Sequence, residues 1–418
     1  MTDADVVVVG GGPAGASTAF QLARRGVDTL VLDRSRFPRG KACAECLSPQ
    51  ASRILQDMGV LDALTPAGAR MSGIEVRSPD GTTARGDYVA SHGFRGFRDW
   101  GLSIRREILD HALLESATGA GARVEQGARV TDVVRDGGAA SRVRIFDASG
   151  RERMVRARLV VGADGLRLLV ARRLGLARSA AWPRRIAIVA HYRGVRGVGN
   201  LVELHVERTG FVGIADVGRS VTTVAAVFTM RRAPEISAAG AAHFLGGWLA
   251  GIPHLASRFR GATPDDAPRV TGPFASHVRR AWAAGALLVG DAADFFDPFT
   301  GEGVYAALRG GELAASAAFA ALGGERDALA SYDAERRREF GGKWLVEKLV
   351  GVGVANPWLM NRAVRGLSLD RELADLVAGV TGDFVPAGRL LRLGVLPRLF
   401  LAARGAGHAA PAATPATR

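Results

Sequence analysis

Cysteine and lysine are almost missing from this chain of 418 residues: two thiols, Cys43 and Cys46, and three lysines, Lys41, Lys343 and Lys348. Two cysteines cannot staple a secreted disulfide scaffold of this length, so a reducing cytoplasm is the expected compartment. The opening residues include Asp3 and Asp5 where a secretion signal begins with positive charge, and no such signal is expected. A long unbroken apolar run is also missing. The uncharged stretch from Val6 to Ala23 is interrupted by Gly10, Gly11, Gly12 and Pro13, which makes it a strand, a turn and a helix rather than a membrane span. Arginine replaces lysine: the formal charge of +14 rests on 55 basic residues, 52 of them arginine, against 41 acidic ones. They are spread along the chain without a dominant basic run, so compositional bias explains them and no nucleic-acid partner is expected.

What is abundant is glycine in particular places. Residues 5–33 read DVVVVGGGPAGASTAFQLARRGVDTLVLD. Four consecutive valines suit a strand buried on both faces. Gly10, Gly12 and Gly15 then form G-x-G-x-x-G, followed by a helical stretch with Pro13 and Ala14 at its start, and a second apolar strand ends at Asp33 and Arg34. In this arrangement the first glycine permits the tight turn, the second lets backbone approach a pyrophosphate, and the third lets helix and strand pack closely. The helix N-terminus offers unpaired N–H groups to the phosphates. Asp33, 18 residues after Gly15, is placed to accept hydrogen bonds from a ribose diol. This stretch alone does not separate NAD from FAD.

Two later stretches do. Residues 285–313 hold a short apolar strand, Gly290-Asp291, Pro298, and Gly301-Glu302-Gly303 at the start of a helix. Residues 158–176 give another strand, ending in Gly162-Ala163-Asp164-Gly165. An aspartate at a strand end suits a ribityl chain, and glycines at a helix start let N–H groups reach a flavin edge, where negative charge develops on reduction.

In this order and separation, the three stretches resemble the flavoprotein superfamily of para-hydroxybenzoate hydroxylase, flavin-dependent halogenases and geranylgeranyl reductases. The resemblance spans roughly residues 5–340 and implies non-covalent FAD. By position it places Gly10, Gly12 and Gly15 at the pyrophosphate, Asp33 at the adenosine ribose, Asp291 at the ribityl chain, and Pro298, Gly301 and Gly303 against the isoalloxazine, with Asp164, Gly290 and Glu302 in the same motifs. Arg105, in LSIRREILDHAL, matches the family's arginine segment and becomes a pyrophosphate contact; Val130 stands where relatives touch adenine through the backbone.

The two cysteines admit several readings. Zinc needs further ligands, and no histidine pair has the spacing, so no metal is expected. A thioredoxin-type dithiol opens a helix after its own strand, whereas this pair lies in the loop beyond the second strand. Flavin disulfide reductases space their cysteines further apart and carry a second G-x-G-x-x-G domain, which is not found here. FPRGKACAECLSP does resemble the geranylgeranyl reductase pattern K-x-C-G before Leu-Ser-Pro, with Ala44 in place of the glycine. That resemblance puts Lys41 and Cys43 beside the flavin, with both also weighed as catalytic. Cys46, and Cys43 equally, can be read as small buried hydrophobes, and Cys46 is expected to pack inside.

The expected fold is α/β (α+β): a discontinuous Rossmann-type FAD-binding domain from residues 1–72, 101–175 and 266–325, an antiparallel-sheet substrate domain from 73–100 and 176–265, a helical region over 326–405 and a disordered tail over 406–418. Strand-like runs at 201–206, 211–217 and 221–229 form the roof. On the first, Glu203, His205 and Glu207 alternate with apolar residues; that polar face is expected to be solvated, with His205 as a further catalytic candidate. Arginines interleave with leucines over 388–405, a basic amphipathic pattern that reads as a peripheral membrane contact or a helix packed on the fold.

For the reaction, GFVGIADVG replaces the W-x-W-x-I-P of halogenases and the Y-x-W-x-F-P of archaeal prenyl reductases. Leu168 and Ala171 stand where hydroxylases have serine and arginine, which weakens direct docking of NADH or NADPH, the expected electron donor. PFTGEG and the Lys41/Cys43 loop lean towards reductases. The expectation is an FAD-dependent oxidoreductase, a monooxygenase of a hydrophobic aromatic, quinone or polyketide-like molecule, with prenyl carbon–carbon double-bond reduction as the alternative and a non-catalytic flavin protein as the third reading.

Overall fold

A computed structural model describes residues 2–179, 184–274, 276–295 and 298–391, together with Val395 and Arg398. The valine run becomes the strand Ala4–Val9, in the middle of a sheet, with Val6, Val7 and Val8 fully buried. It runs parallel to Thr29–Asp33 on one side and to Glu152–Gly162 on the other, with Val6 opposite Thr29 and Leu159. Ala286–Leu288 and Arg123–Gln126 continue the parallel sheet outwards. Chain connections therefore leave the central strand in opposite directions, and the crevice at the carboxyl ends of these strands is the ligand-binding switch point of a doubly wound sheet. Gly10, Asp33, Asp164 and Asp291 all stand at or just beyond those ends.

The helices Pro13–Ala23 and Gly303–Leu322 cover one face of this sheet, and their alanines and glycines let them approach closely. A Cβ on Gly311 would lie 2.6 Å from Ser17 Cβ. Ser17 Oγ donates to Leu308 O at 2.8 Å, so the contact is also hydrogen-bonded. Any larger residue at Gly311 would part the helices.

The second sheet runs in the order Thr263–Pro264, Arg185–Arg193, Thr222–Thr229, Gly210–Asp216, Leu201–Glu207, Gly73–Arg77, Thr83–Asp87. It is antiparallel except where Leu201–Glu207 meets Gly73–Arg77. Both faces are covered. Ile188, Val212, Val224, Ala226 and Phe228 pack on the helices Ala241–Ala250 and Pro253–Phe259, whose Phe244, Leu245, Leu249 and Leu255 complete that core. The residues that alternate with them, including Val189, Leu204, Phe211, Ala225 and Val227, face the first sheet across a cavity.

Three further helices follow: Ala328–Ala355, Pro357–Leu369 and Arg371–Thr381. Asn356 caps the second by accepting from Trp358 N and Leu359 N, with Pro357 in the first turn; Asp370 caps the third through Leu373 N. Tyr332 Oη donates to Leu288 O at 2.9 Å and ties the long helix to the first sheet. Met360 and Val364 reach the second sheet. Among the described residues no helix is long and apolar enough to cross a membrane.

Candidate functional site

The glycine motif forms a cradle in which some positions are jammed by protein and others front open space. Gly10 has φ +107°, and a Cβ there would lie 2.4 Å from Ala163 O; a Cβ on Gly15 would lie 1.8 Å from Gly10 O. These two glycines hold turn, helix and neighbouring strand together. Gly12 differs: its nearest atom is Arg39 Nη2 at 3.7 Å. At Gly301 and Gly303 no protein atom comes within 4 Å of where a Cβ would be. The absence of side chains at these three positions leaves room for something else, as a pyrophosphate at Gly12 and a flavin ring at Gly301 and Gly303 require. Asp33 is buried and accepts from Gly11 N and Ser35 N, both at 2.7 Å, which orients its carboxylate at the strand end. Arg34, next to it, is exposed. Val130 pairs with Ile145, two residues beyond Ala128, whose N–H donates to Asp33 O.

Gly12, Pro13 and Ala14 form one end of the cavity; Gly290, Asp291 and the turn Pro298 to Gly303 form its floor, and the apolar face of the second sheet closes it. Lys41 Nζ stands 3.6 Å from Asp291 Oδ2. The pair fits a cofactor with both phosphate and hydroxyl groups. Glu302 is buried in the Gly301–Gly303 turn; burial raises its carboxyl to about 7, against the pull of Lys343, and the same enclosure lowers the Lys343 ammonium. Asp164 lies below the wall: Oδ2 accepts from Leu169 N, Oδ1 is buried without a partner among the described residues, and burial raises the group to about 6.

Both cysteines are free thiols, and both line the cavity. Cys46, expected to pack inside, lies against the buried cluster of Met71, Tyr88 and Phe384 at the cavity wall; it donates to Ala44 O at 3.2 Å, and burial raises its thiol to about 12. Cys43 Sγ accepts from Glu45 N at 3.4 Å and shares the cavity wall with Arg106. Arg106 in turn is locked by Asp110, at 2.7 and 2.8 Å, in the first turn of the helix Arg106–Gly119.

Asp33, Arg34, Val130 and Asp164 are not among the cavity-lining residues, and neither are Arg105 and His205. Arg105 is not on the cavity wall; its guanidinium binds Asp265 at 2.6 Å and Asp266 at 3.2 Å, and Arg106 is the neighbour that reaches the cavity. His205 lies on the opposite face of the second sheet, because strand alternation that turns Val202 and Leu204 to the cavity turns Glu203 and His205 away. That face is not solvated either. Glu203 and His205 are buried under the helix Pro253–Phe259, where Arg258 binds Glu203 and His254 Nε2 lies 3.1 Å from His205 Nδ1. Sequence reading also missed Arg106, Glu45 and His191. For Glu45 a signal existed: it sits between the two cysteines in a loop already under suspicion.

With this geometry in place, comparison with known proteins is specific. The FAD binding domain family matches residues 3–342, and the chain belongs to that family. It is an FAD-dependent oxidoreductase, and the glycine cradle, the strand-end carboxylates and the open Gly301–Gly303 turn lie within the matched residues. It is 30% identical over 341 residues to a menaquinone reductase of Mycobacterium tuberculosis, an alignment that covers 75% of this chain and 76% of the relative. It is 29% identical to digeranylgeranylglycerophospholipid reductase 1 of Methanococcoides burtonii, covering 93% of each. A solved flavoprotein/dehydrogenase of Cytophaga hutchinsonii superposes with a TM-score of 0.81 at 22% identity, over 96% of this chain and 98% of that one.

Proposed function

We propose that this protein uses FAD to reduce a carbon–carbon double bond in a long apolar substrate, a prenyl chain carried by a quinone or a lipid. The observation that carries the reading is the thiol of Cys43 in a cavity closed on one side by the apolar face of the second sheet, with the locked guanidinium of Arg106 on the same wall. FAD, when bound and reduced, supplies a hydride to one alkene carbon, and the other carbon needs a proton. Cys43 holds that proton at Sγ. As it leaves, the thiolate is held by Glu45 N–H and by Arg106. Val189, Leu204, Phe211 and Val227 exclude water and orient the chain. The reductase names of the two relatives support this reading; NADH or NADPH is the proposed source of electrons.

Stopped-flow mixing of anaerobically reduced, FAD-loaded protein with menaquinol bearing an unsaturated prenyl chain, whose ring is already reduced and cannot take the hydride, tests it. The oxidised flavin spectrum should return without oxygen, and Cys43→Ala should slow the return about tenfold or more while flavin content is unchanged. A spectrum that returns only on admitting air would instead support monooxygenation, the reaction expected from the sequence.

A further inference from the structure

Among the described residues, Glu45 is the one non-glycine residue of the cavity wall in the left-handed region, with φ +65°. A non-glycine residue is held there only when its surroundings over-determine it. They do: Glu45 O accepts from Ile104 N at 2.9 Å, and Oε1 accepts from Arg106 N at 2.8 Å. The other carboxylate oxygen, Oε2, lies 2.8 Å from His191 Nε2, and both side chains are 3% exposed. His191 Nδ1 lies 3.0 Å from Asp266 Oδ1, and the Asp266 side chain is 17% exposed. Three distant segments thus meet in an unbroken chain of carboxyl, imidazole and carboxyl from the cavity wall to the surface.

We propose that Asp266, His191 and Glu45 form the proton supply line of the cavity and reprotonate Cys43 after each turnover. This rests on the reductase reading. Glu45, whose N–H donates to Cys43 Sγ at 3.4 Å, brings its carboxyl to the thiol's end of the wall and returns the proton to the thiolate; Glu45 Oε2 is reprotonated from His191 Nε2, and a solvent proton reaches the ring at Nδ1 through Asp266, with tautomer exchange resetting the ring. One proton enters for each proton delivered to the alkene carbon, and the hydride comes from flavin reduced by a two-electron donor. The other ionisable neighbours are Cys46 in the loop, Arg105 and Arg106 at the helix start, Asp265 and Arg269 beside Asp266, and Arg193 on the strand of His191. Burial works to lower the His191 ring, but Glu45 and Asp266 outweigh it and hold it above the usual histidine value.

Alkylation of Cys43 by iodoacetamide in a Cys46→Ser background, followed against pH, tests the line without substrate. A step from His191 should precede the thiol's own ionisation, and His191→Gln should abolish it. Asp266→Asn, at the solvent end, should displace the step and serves if His191→Gln folds poorly. Superimposed profiles for all three proteins would overturn the proposal, leaving a cluster that only ties the sheet to the loop. With menaquinol bearing an unsaturated prenyl chain, His191→Gln should slow anaerobic flavin reoxidation about tenfold, more at high pH than at low. A wild-type protein that shows the alkylation step but leaves the double bond intact would sink the reductase reading and leave the proton line standing.

Discussion

At the residue scale, glycines divide into those that serve the fold and those that serve the ligand. Gly15→Ala places a methyl group 1.8 Å from Gly10 O and should abolish soluble expression or lower the melting temperature steeply. Gly12→Ala meets only Arg39 Nη2 at 3.7 Å, so the protein should fold and lose FAD instead. Flavin content per folded chain, by absorbance and circular dichroism on the same sample, separates the two; equal flavin in Gly12→Ala and wild type would show that the pyrophosphate lies elsewhere. Asp33→Ala and Asp291→Ala each remove a charged acceptor worth about 1.5–3 kcal/mol, which is roughly a ten- to hundredfold weaker FAD affinity. Acid precipitation should release the chromophore from wild type, since the cofactor is read as non-covalent; yellow pellets would contradict that. The cradle is legible in the sequence because each of its requirements falls within a few residues of the next. Arg105 and Arg106 are not distinguishable that way. Which of the two reaches the cavity depends on Asp265 and Asp266, about 160 positions later in the chain.

Among elements, the second sheet decides what its strands can do. Alternation along Leu201–Glu207 shows that Glu203 and His205 share a face, but not that the helix Pro253–Phe259 covers it. That covering depends on apolar residues in two other segments, so His205 reads as a site residue from sequence and proves a buried partner of Glu203 and His254. The cluster has a pH signature. Burial, with Arg77 and His205 adding to it, lowers His254 to about 4. Free histidine titrates near about 6.5, so between these values the unfolded chain holds the extra proton and stability falls on acidification. His191 has the opposite sign: its raised value gives stability that is full below about 6.5 and is lost as pH rises through the folded value. Thermal melts from pH 4 to 8 should therefore show His254→Gln flattening the acid-side fall, and His191→Gln costing most on the acid side and least on the alkaline side. The same pH dependence in both variants would mean that one of the two environments is misassigned.

For the whole molecule, the fold class follows from motifs spaced along the chain, whereas the working cavity arises only where three segments converge. Glu45, His191 and Asp266 are more than 70 positions apart from one another, and no local pattern links them. The membrane expectation for residues 388–405 lies largely outside the described residues. Among those described, Leu345, Leu349 and Trp358 are exposed on the C-terminal helices, and Arg398 is held by Asp370. Deleting residues 388–418 should reduce co-sedimentation with anionic vesicles if that segment is the contact, and equal pelleting would remove the idea. The most direct measurement on the whole protein is the mass of the product formed anaerobically from an unsaturated prenyl quinone with reduced flavoprotein, after the ring is reoxidised. Reduction of the chain predicts a gain of two hydrogens located on the prenyl double bond, and, when the reaction runs in deuterated solvent, deuterium fixed on those carbons. A product unchanged without oxygen, and heavier by one oxygen atom in air, would contradict it.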